Sequence, residues 1–285
     1  MSTTLSINCG GTLLSLDKPR VMGILNVTPD SFYDGGKYTS DRAIMNQVER
    51  MLSEGADLID VGGMSSRPGA VLIDEELEVK RVIPVVRSIL THFPNTLISV
   101  DTVRSSVARE AAAAGAVMIN DISAGKFDAK MCSTVAELQL PYVLMHMQGS
   151  PEDMQHNPEY SQVTVEVLDF FIQKLGELRA LGVKDVILDP GFGFGKTVAH
   201  NYQLLTNLSA FSMLDCPVLA GLSRKSMICK VLEVNPSKAL NGTTALHMVA
   251  LQNGARLLRV HDVKEARETI SLFETCRVHN PHPCC

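Results

Sequence analysis

The sequence lacks the features that mark membrane, secreted and nucleic-acid-binding proteins. It has no apolar run of about 18 residues, so we expect no helix that spans a bilayer. Residues 1–25 contain no basic segment followed by an apolar one, so we expect no signal peptide. The net charge of −5 comes from interspersed acids and bases, which argues against a general nucleic-acid surface.

No C-x-x-C pair occurs among the seven cysteines, which is typical of a protein in a reducing cytoplasm rather than of a disulfide framework. No His/Cys cluster for zinc and no Ser–His–Asp grouping is evident. The tail from His279 to Cys285 has the residue types of a stray metal site, but we expect a frayed terminus. Gly195-Lys196-Thr197 resembles a P-loop, yet that motif needs a glycine where Pro190 stands, which excludes it.

What the sequence does contain is a repeated alternation of strand and helix patterns. Eight apolar segments are predicted as strands, at residues 21–26, 58–61, 97–100, 117–120, 142–145, 186–188, 218–220 and 257–260. Alternation implies parallel strands, and eight units fit an α/β fold of the (β/α)8 TIM barrel type, with a doubly wound sheet as the alternative. We predict a single domain over residues 1–285, with a short N-terminal β-hairpin at about residues 4–16 and the barrel at about 20–278.

The apolar stripes also predict where the helices lie. They indicate helices over residues 41–54, 74–90, 129–138 and 160–181. Thr102 is predicted to cap an alanine-rich helix that ends at Gly115.

In such a barrel, the residues just past the strands face one common mouth. The set expected there is Asn26, Arg67, Asp101, Asn120, Met145, Asp189, Lys225, Arg259 and His261. At the opposite strand ends, Asp57, Pro141 and Lys184 form no comparable set. A single Asp or Asn at such a position can be a helix cap, but convergence of the whole set favours a functional site.

The mouth residues divide by charge. Lys225, Arg259 and His261 follow the seventh and eighth strands, where these barrels usually hold phosphate groups. The carboxylate and amide oxygens in the set suit a nitrogen-rich ring or Mg²⁺. The residues therefore predict an enzyme that acts on a phosphorylated, polar heterocycle.

Eight motifs, in order and over about residues 20–265, resemble those of the dihydropteroate synthase family. They are MGILNVTPDSFYDGG from Met22, DVGG from Asp60, SSRPG from Ser65, SVDT from Ser99, INDI from Ile119, LDPGFGFGK from Leu188, GLSRKS from Gly221 and RVHD from Arg259. The resemblance implies a transferase of folate biosynthesis that condenses 6-hydroxymethyl-7,8-dihydropterin pyrophosphate with p-aminobenzoate to give 7,8-dihydropteroate and pyrophosphate. It also implies Mg²⁺ as cofactor, a homodimer, and inhibition by sulfonamides, which mimic p-aminobenzoate.

The same resemblance implies roles for individual residues. Those implied to hold or line the pterin are Asp101, Asn120, Ile122, Met145, Asp189, Phe194 and Lys225. Those implied to bind pyrophosphate are Asn26, Arg67, Arg259 and His261, and Asn26 would also meet the Mg²⁺. Those implied to form the p-aminobenzoate pocket are Phe32, Ser66, Arg67, Pro68, Phe194, Lys225 and Ser226. The implied catalytic residues are Asp101, Lys225, Arg67 and, from a mobile first loop, Asp34.

The chain departs from the family pattern in its second loop, residues 63–71. In the family this loop more usually reads Gly-Gly-Glu-Ser-Thr-Arg-Pro-Gly. Met64 stands in place of the Glu, so a role of that carboxylate does not carry over. Ser66 stands in place of the Thr, keeping the hydroxyl but losing a methyl group. We therefore expect a looser contact with the aminobenzoate ring.

Physical chemistry favours loss of pyrophosphate before the amine attacks. Mg²⁺ and Arg or His donors stabilise charge that grows on the leaving group, and Asp101 stabilises the delocalised methylene cation. Direct displacement is the alternative mechanism. Three other functions stay open: a pterin-binding methyltransferase barrel, a non-catalytic pterin-binding homologue and a scaffold. The first would not need the loop at 66–68, the second should lose charged mouth residues, and the third leaves Lys225 and Arg259 unexplained.

The loops at 28–37 and 63–71 are rich in Gly, Pro, Ser and Asp, so we expect both to be mobile without ligand. Asn26 and Arg67 lie at their bases, where Mg²⁺ and pyrophosphate should favour the closed state and complete the p-aminobenzoate pocket. We therefore predict that p-aminobenzoate binds weakly to the free enzyme and much more tightly with pyrophosphate and Mg²⁺. Calorimetric titration with and without pyrophosphate checks this, and equal affinities would indicate a preformed pocket.

Overall fold

The computed structural model of the chain describes residues 5–27, 37–64, 73–150, 154 and 157–279. Its strands are β1 Ser6–Cys9, β2 Thr12–Ser15, β3 Arg20–Asn26, β4 Leu58–Gly62, β5 Leu97–Asp101, β6 Met118–Asp121, β7 Tyr142–Met145, β8 Val186–Asp189, β9 Val218–Ala220 and β10 Ala255–Val260. Its α-helices are α1 Lys37–Ser53, α2 Glu75–His92, α3 Ser105–Ala113, α4 Met131–Leu138, α5 Val163–Ala180, α6 Val198–Thr206, α7 Ser226–Leu232, α8 Leu240–Gln252 and α9 Val263–Val278. Short 3-10 helices span Leu208–Leu214 and Pro236–Lys238.

Strands β3 to β10 form a closed barrel in the spatial order β10-β3-β4-β5-β6-β7-β8-β9, which confirms the predicted (β/α)8 architecture. Every neighbouring pair in the barrel is parallel, with β10 pairing with β3 to close the ring. The register sets Asn26 opposite Gly62, Gly62 opposite Asp101, and Asp101 opposite Asn120. Three of the predicted mouth residues therefore lie at the same level on neighbouring strands.

The N-terminal hairpin covers the opposite end of the barrel. Strands β1 and β2 pair antiparallel around Gly10 and Gly11, whose φ angles of 59° and 98° favour glycine. Ile7 and Leu14 from the hairpin belong to one buried cluster with barrel residues near the amino ends of the strands, such as Met22 and Leu257. Because this end is covered with apolar side chains, ligands must enter from the carboxyl ends of the strands.

The helices cover the outer faces of the strands with the apolar stripes that predicted them. Asp74 caps α2 by accepting a hydrogen bond from the Glu76 amide. The prediction that Thr102 caps the next helix is wrong, because α3 begins at Ser105 and the Thr102 hydroxyl accepts from the Arg104 amide instead. Among the described residues, no helix is long and apolar enough to cross a membrane.

A buried polar contact next to the barrel generates a stability prediction. The Tyr142 hydroxyl donates to Asp121 Oδ2 at 2.6 Å, and both residues are fully buried. Tyr142→Phe removes one donor from a buried carboxylate, so we expect the free energy of unfolding to fall by about 1–3 kcal/mol. Urea denaturation measures it, with Tyr202→Phe as control, since that hydroxyl has no hydrogen-bond partner among the described residues. Equal stability of Tyr142→Phe and wild type would contradict the prediction.

Candidate active site

Arg259 lies at the centre of the barrel mouth. From the penultimate position of β10, its Nε donates to Asp60 Oδ2 at 2.6 Å and its Nη2 donates to Asp101 Oδ2 at 2.8 Å. Asn120 Nδ2 donates to the same Asp60 oxygen at 2.9 Å. The Arg259 guanidinium thus joins β4, β5 and β10. The Asn120 side-chain amide from β6 extends this hydrogen-bond network at the mouth.

Asp60 is the residue that strand-end reasoning missed. It lies inside β4 rather than after it, and it is 0% exposed. Its Oδ1 atom has no hydrogen-bond partner among the described residues. A buried acceptor of this kind needs a donor from a ligand or from water. The available signal was a carboxylate in an otherwise apolar strand, Leu58–Gly62.

Asp101 is a buried carboxyl group at the end of β5. Burial raises its pKa to about 7, against the lowering effect of the neighbouring Arg259 charge, while Asp60 and Glu78 add to the rise. Burial lowers the pKa of Arg259, but the Asp60 and Asp101 carboxylates together outweigh burial and raise it above its ordinary value, so Arg259 stays charged. The mouth therefore holds one permanent cation beside an acid that changes charge in the physiological range.

Asp189 ends β8 and lies beside the glycine-rich loop, as the sequence predicted. Its Oδ1 accepts a hydrogen bond from the Gly191 amide at 2.8 Å. Burial raises the pKa of this carboxyl, while Lys225, Arg259 and Lys196 lower it. Met145 is opposite Asp189 in the register, so the two predicted pterin residues are neighbours.

Lys225 lies at the N-terminus of α7 with its ammonium over an aromatic ring. Its Nζ is 4.2 Å from the centroid of Phe194, which is a cation–π contact. Burial lowers the pKa of Lys225 to about 8, although Asp189 opposes that shift. Ser226, the next residue, is exposed at the first position of α7.

An apolar cluster lines the mouth beside these charges. It contains Ile122, Met145 and Phe194, the apolar residues that the resemblance implies to line the pterin. The cluster also includes Met64, Val103 and Met154, for which the resemblance implies no contact with the pterin. Met64, the departure from the family pattern, therefore contributes an apolar surface where the family pattern has a carboxylate.

His261 is half-buried just after β10. Burial, followed by the Arg259 charge, lowers its pKa to about 4. Its Nδ1 lies 3.0 Å from Ser223 Oγ, and that hydroxyl oxygen also accepts from the His261 amide at 3.2 Å. His261 is thus tied to Ser223 by its main chain and by its ring.

Asn26 is half-buried at the end of β3, and its side chain has no hydrogen-bond partner among the described residues. Within residues 5–27, 37–64, 73–150, 154 and 157–279, no group of three or more His, Cys, Asp or Glu residues has the arrangement of a metal site. The remaining predicted site residues, Phe32, Asp34, Ser66, Arg67 and Pro68, lie outside the described residues.

Comparison with known proteins agrees with this geometry. The sequence pattern of the family described as pterin binding enzyme matches residues 22–261. The dihydropteroate synthases of Escherichia coli and Haemophilus influenzae are 47% and 46% identical over 93% and 92% of the chain, and the matches cover 94% and 95% of those proteins.

Solved structures agree as well. The dihydropteroate synthase of Xanthomonas albilineans with 4-aminobenzoic acid has a TM-score of 0.91 at 42% identity, covering 98% of this chain and 100% of that one. The same enzyme in complex with 7,8-dihydropteroate has a TM-score of 0.87 at 40% identity, covering 97% and 100%. The chain therefore belongs to the dihydropteroate synthases, within the family of pterin-binding enzymes.

Proposed function

We propose that the network around Arg259 is the pterin site of this dihydropteroate synthase. The chain condenses 6-hydroxymethyl-7,8-dihydropterin pyrophosphate with p-aminobenzoate, giving 7,8-dihydropteroate and pyrophosphate. The observation that carries the site assignment is the convergence of Asp101, Asn120 and Asp189 on one mouth, where Asp60 Oδ1 has no partner within the described part of the chain. Product formation from the two purified substrates with Mg²⁺ tests the function.

The pterin ring presents amino and ring N–H donors together with a carbonyl oxygen. Asp189 and Asp101 supply acceptors, and Asn120 supplies both an acceptor and a donor. The apolar cluster with Ile122 and Met145 matches the faces of the flat ring. This division of polar edge and apolar face is the usual composition of a small-molecule site.

Asn26, Arg67, Arg259 and His261 are proposed to bind the pyrophosphate. For Arg259 this role is shared, because the same guanidinium already pairs with Asp60 and Asp101. His261 would donate a hydrogen bond as a neutral ring, since its pKa is lowered to about 4. Charge attraction at this end therefore comes from Arg259 and, in the proposal, from Arg67.

Mg²⁺ is proposed as cofactor, and the donor chemistry of Asn26 fits it. The side-chain amide, which has no partner among the residues that the structure describes, offers an oxygen. Mg²⁺ commonly binds few protein oxygens together with substrate phosphates. When bound, Mg²⁺ would neutralise charge on the pyrophosphate. Asn26 lies opposite Gly62, level with Asp101, so its oxygen is at the same height as the proposed pterin residues.

The proposed mechanism is dissociative. As the C–O bond to pyrophosphate breaks, the pterin methylene becomes a delocalised cation, which the ionised Asp101 stabilises by electrostatic attraction. Lys225 is not proposed as a base, because its amine is protonated below a pKa of about 8. The neutral arylamine attacks the cation with its nitrogen lone pair, and the protonated amine that forms then loses its proton to water, so no strong base is needed.

The p-aminobenzoate pocket is proposed around Phe194, Lys225 and Ser226, with Phe32, Ser66, Arg67 and Pro68 as its further members. The Lys225 ammonium lies over the Phe194 ring, next to the exposed Ser226 at the start of α7. An ammonium beside an aromatic ring suits a ligand that combines a carboxylate with a ring. The dihydropteroate synthase of Yersinia pestis has a solved structure with a sulfonamide drug, and we propose that sulfonamides compete with p-aminobenzoate here.

We also propose a homodimer. Val231 and Leu232 on α7 and Leu272 on α9 are 55%, 46% and 62% exposed, and α8 packs against both of these helices. Exposed apolar side chains on neighbouring helices are typical of a protein–protein contact. Sedimentation should give about twice the 31.0 kDa mass of one chain, and a monomer would refute the proposal.

A cytoplasmic location is part of the same proposal. The cysteines within the described residues, at 9, 132, 216, 229 and 276, are all free thiols. Free thiols are the usual state in a reducing compartment. Secretion of the active enzyme in a disulfide-bonded form would contradict this assignment.

Asp189→Asn should nearly abolish activity through loss of pterin binding. The amide presents a donor where the carboxylate accepts, and an unpaired buried donor costs about 1–3 kcal/mol, more where charge is involved. Calorimetry with a phosphate-free pterin measures the affinity. Asp185→Asn is a control, since Asp185 lies at the opposite end of β8 and accepts from the Asn8 amide. If Asp189→Asn binds the pterin within about twofold of the wild-type affinity, the assignment of Asp189 to the pterin site is refuted.

The pH dependence of kcat/KM for the pterin substrate should have an acidic limb near the pKa of Asp101, about 7. The carboxyl is ionised above this pKa, so activity should fall as pH decreases through it. Arg259→Gln removes the charge that lowers the pKa of Asp101, so the limb should move to higher pH. Arg267→Gln, at the other end of the barrel, should leave the limb in place. An unmoved limb in Arg259→Gln would contradict this account.

A further inference from the structure

Lys196 is a buried amine that the proposed mechanism does not use. Burial lowers its pKa to about 7, although Asp189 opposes that shift, so the group carries its positive charge below this pH. It follows the glycine-rich loop after β8 and is 3% exposed. Its Nζ atom lies 3.0 Å from the carbonyl oxygens of Gly191 and Phe194 and 3.3 Å from that of His146. It also lies 3.0 Å from His146 Nδ1. All four of these atoms are neutral acceptors, so the ammonium is bound by dipoles rather than by a direct ion pair.

His146 can accept this bond because its ring is neutral. Burial and the adjacent Lys196 charge lower the pKa of His146 to about 2. The proton of the neutral ring is then assigned to Nε2, leaving the Nδ1 lone pair for the ammonium. The ring also makes an edge-on contact with Phe170, with the centroids 4.9 Å apart.

The ammonium lies where two loops of the mouth touch main chain to main chain. A Cβ atom on Gly191 would be 2.0 Å from the His146 carbonyl oxygen, and one on Gly195 would be 2.4 Å from that of Gln148. Both glycines have positive φ angles, 68° and 61°. The loop after β8 therefore fits against the loop after β7 only as glycine, and its inward carbonyls need a buried donor.

The carbonyls that Lys196 binds belong to the segment that carries two site residues. The Gly191 amide donates to Asp189 Oδ1 at 2.8 Å, and the Phe194 ring lies under Lys225 Nζ. The Phe194 amide closes the turn by donating to the Gly191 carbonyl at 3.1 Å. A shift of this turn would move the hydrogen-bond donor to Asp189 and the aromatic wall beside Lys225 together.

We propose that Lys196 is a positioning residue for the reaction: its ammonium ties the turn Gly191–Phe194 to His146 and so fixes Phe194 beneath Lys225. The p-aminobenzoate pocket should depend on this bond more than the pterin site does, because β8 itself holds Asp189 through its ladder. The inference rests on the proposed placement of p-aminobenzoate against Phe194 and Lys225.

Lys196 has a second, electrostatic effect that can be measured separately. Asp189 faces three cations, Lys225, Arg259 and Lys196, which all lower its pKa against the effect of burial. Loss of the Lys196 charge should therefore raise the pKa of Asp189. An uncharged side chain that still donates hydrogen bonds separates this charge effect from the positioning effect.

The experiment compares Lys196→Met and Lys196→Gln, with Arg267→Met as control. Arg267 also bonds a main-chain carbonyl, that of Gly55, but at the other end of the barrel. We expect Lys196→Met to raise KM for p-aminobenzoate about tenfold, the loss of one charge-assisted hydrogen bond, with a smaller change for the pterin substrate. Lys196→Gln should recover part of this loss, and Arg267→Met should leave both KM values unchanged.

The second readout is the pKa of Asp189 from a ¹³C-aspartate NMR titration, with its signal assigned by Asp189→Asn. It should rise in both Lys196 variants and stay unchanged in Arg267→Met. Unchanged KM for p-aminobenzoate in Lys196→Met overturns the inference, and so does an equal loss for both substrates with no change in the pKa of Asp189. If Lys196→Met does not fold, Lys196→Gln decides by the same two measurements. If Phe194→Ala leaves KM for p-aminobenzoate unchanged, the proposed p-aminobenzoate pocket itself is refuted.

Discussion

The site depends on one partly buried guanidinium, that of Arg259. Asp60 and Asp101 are both buried carboxyl groups, and an unpaired buried charge costs several kcal/mol. Arg259 lies between them and hydrogen-bonds to both. This contact forms only when β10 pairs with β3 and closes the barrel. Closure of the fold and assembly of the site are therefore one event, which explains why the acids can stay in the interior of the barrel.

Burial then sets the protonation states at the mouth. It raises the pKa of Asp101 to about 7 and lowers those of Lys225 and His261 to about 8 and about 4. At neutral pH the mouth thus combines a permanent cation, an acid near its midpoint, a lysine that is still mostly charged and a neutral histidine. Such perturbed values are typical of functional sites, because a dry, shaped cavity strengthens every interaction between charges.

The loops after β7 and β8 add rigidity to this arrangement. Their main chains meet at Gly191 and Gly195, and Lys196 satisfies the carbonyls that the contact buries. Asn201 reinforces the same loop from α6, where its Oδ1 accepts from the Gly193 amide at 2.7 Å. Side chains outside the reacting groups thus hold Phe194 and Asp189 in place, as precise binding geometry requires.

The sequence by itself determined the strands, their parallel order and most of the mouth, because strand ends such as Asn26, Asp101 and Asp189 follow from the apolar runs before them. It did not determine the cap of α3, since the Thr102 hydroxyl bonds the Arg104 amide ahead of the helix start. Nor did it determine that Arg259 pairs with carboxylates, because those partners are 158 and 199 residues away. Asp60 entered the site, and the pKa of His261 was lowered, only through tertiary burial, which depends on contacts between strands and is not written in any local pattern.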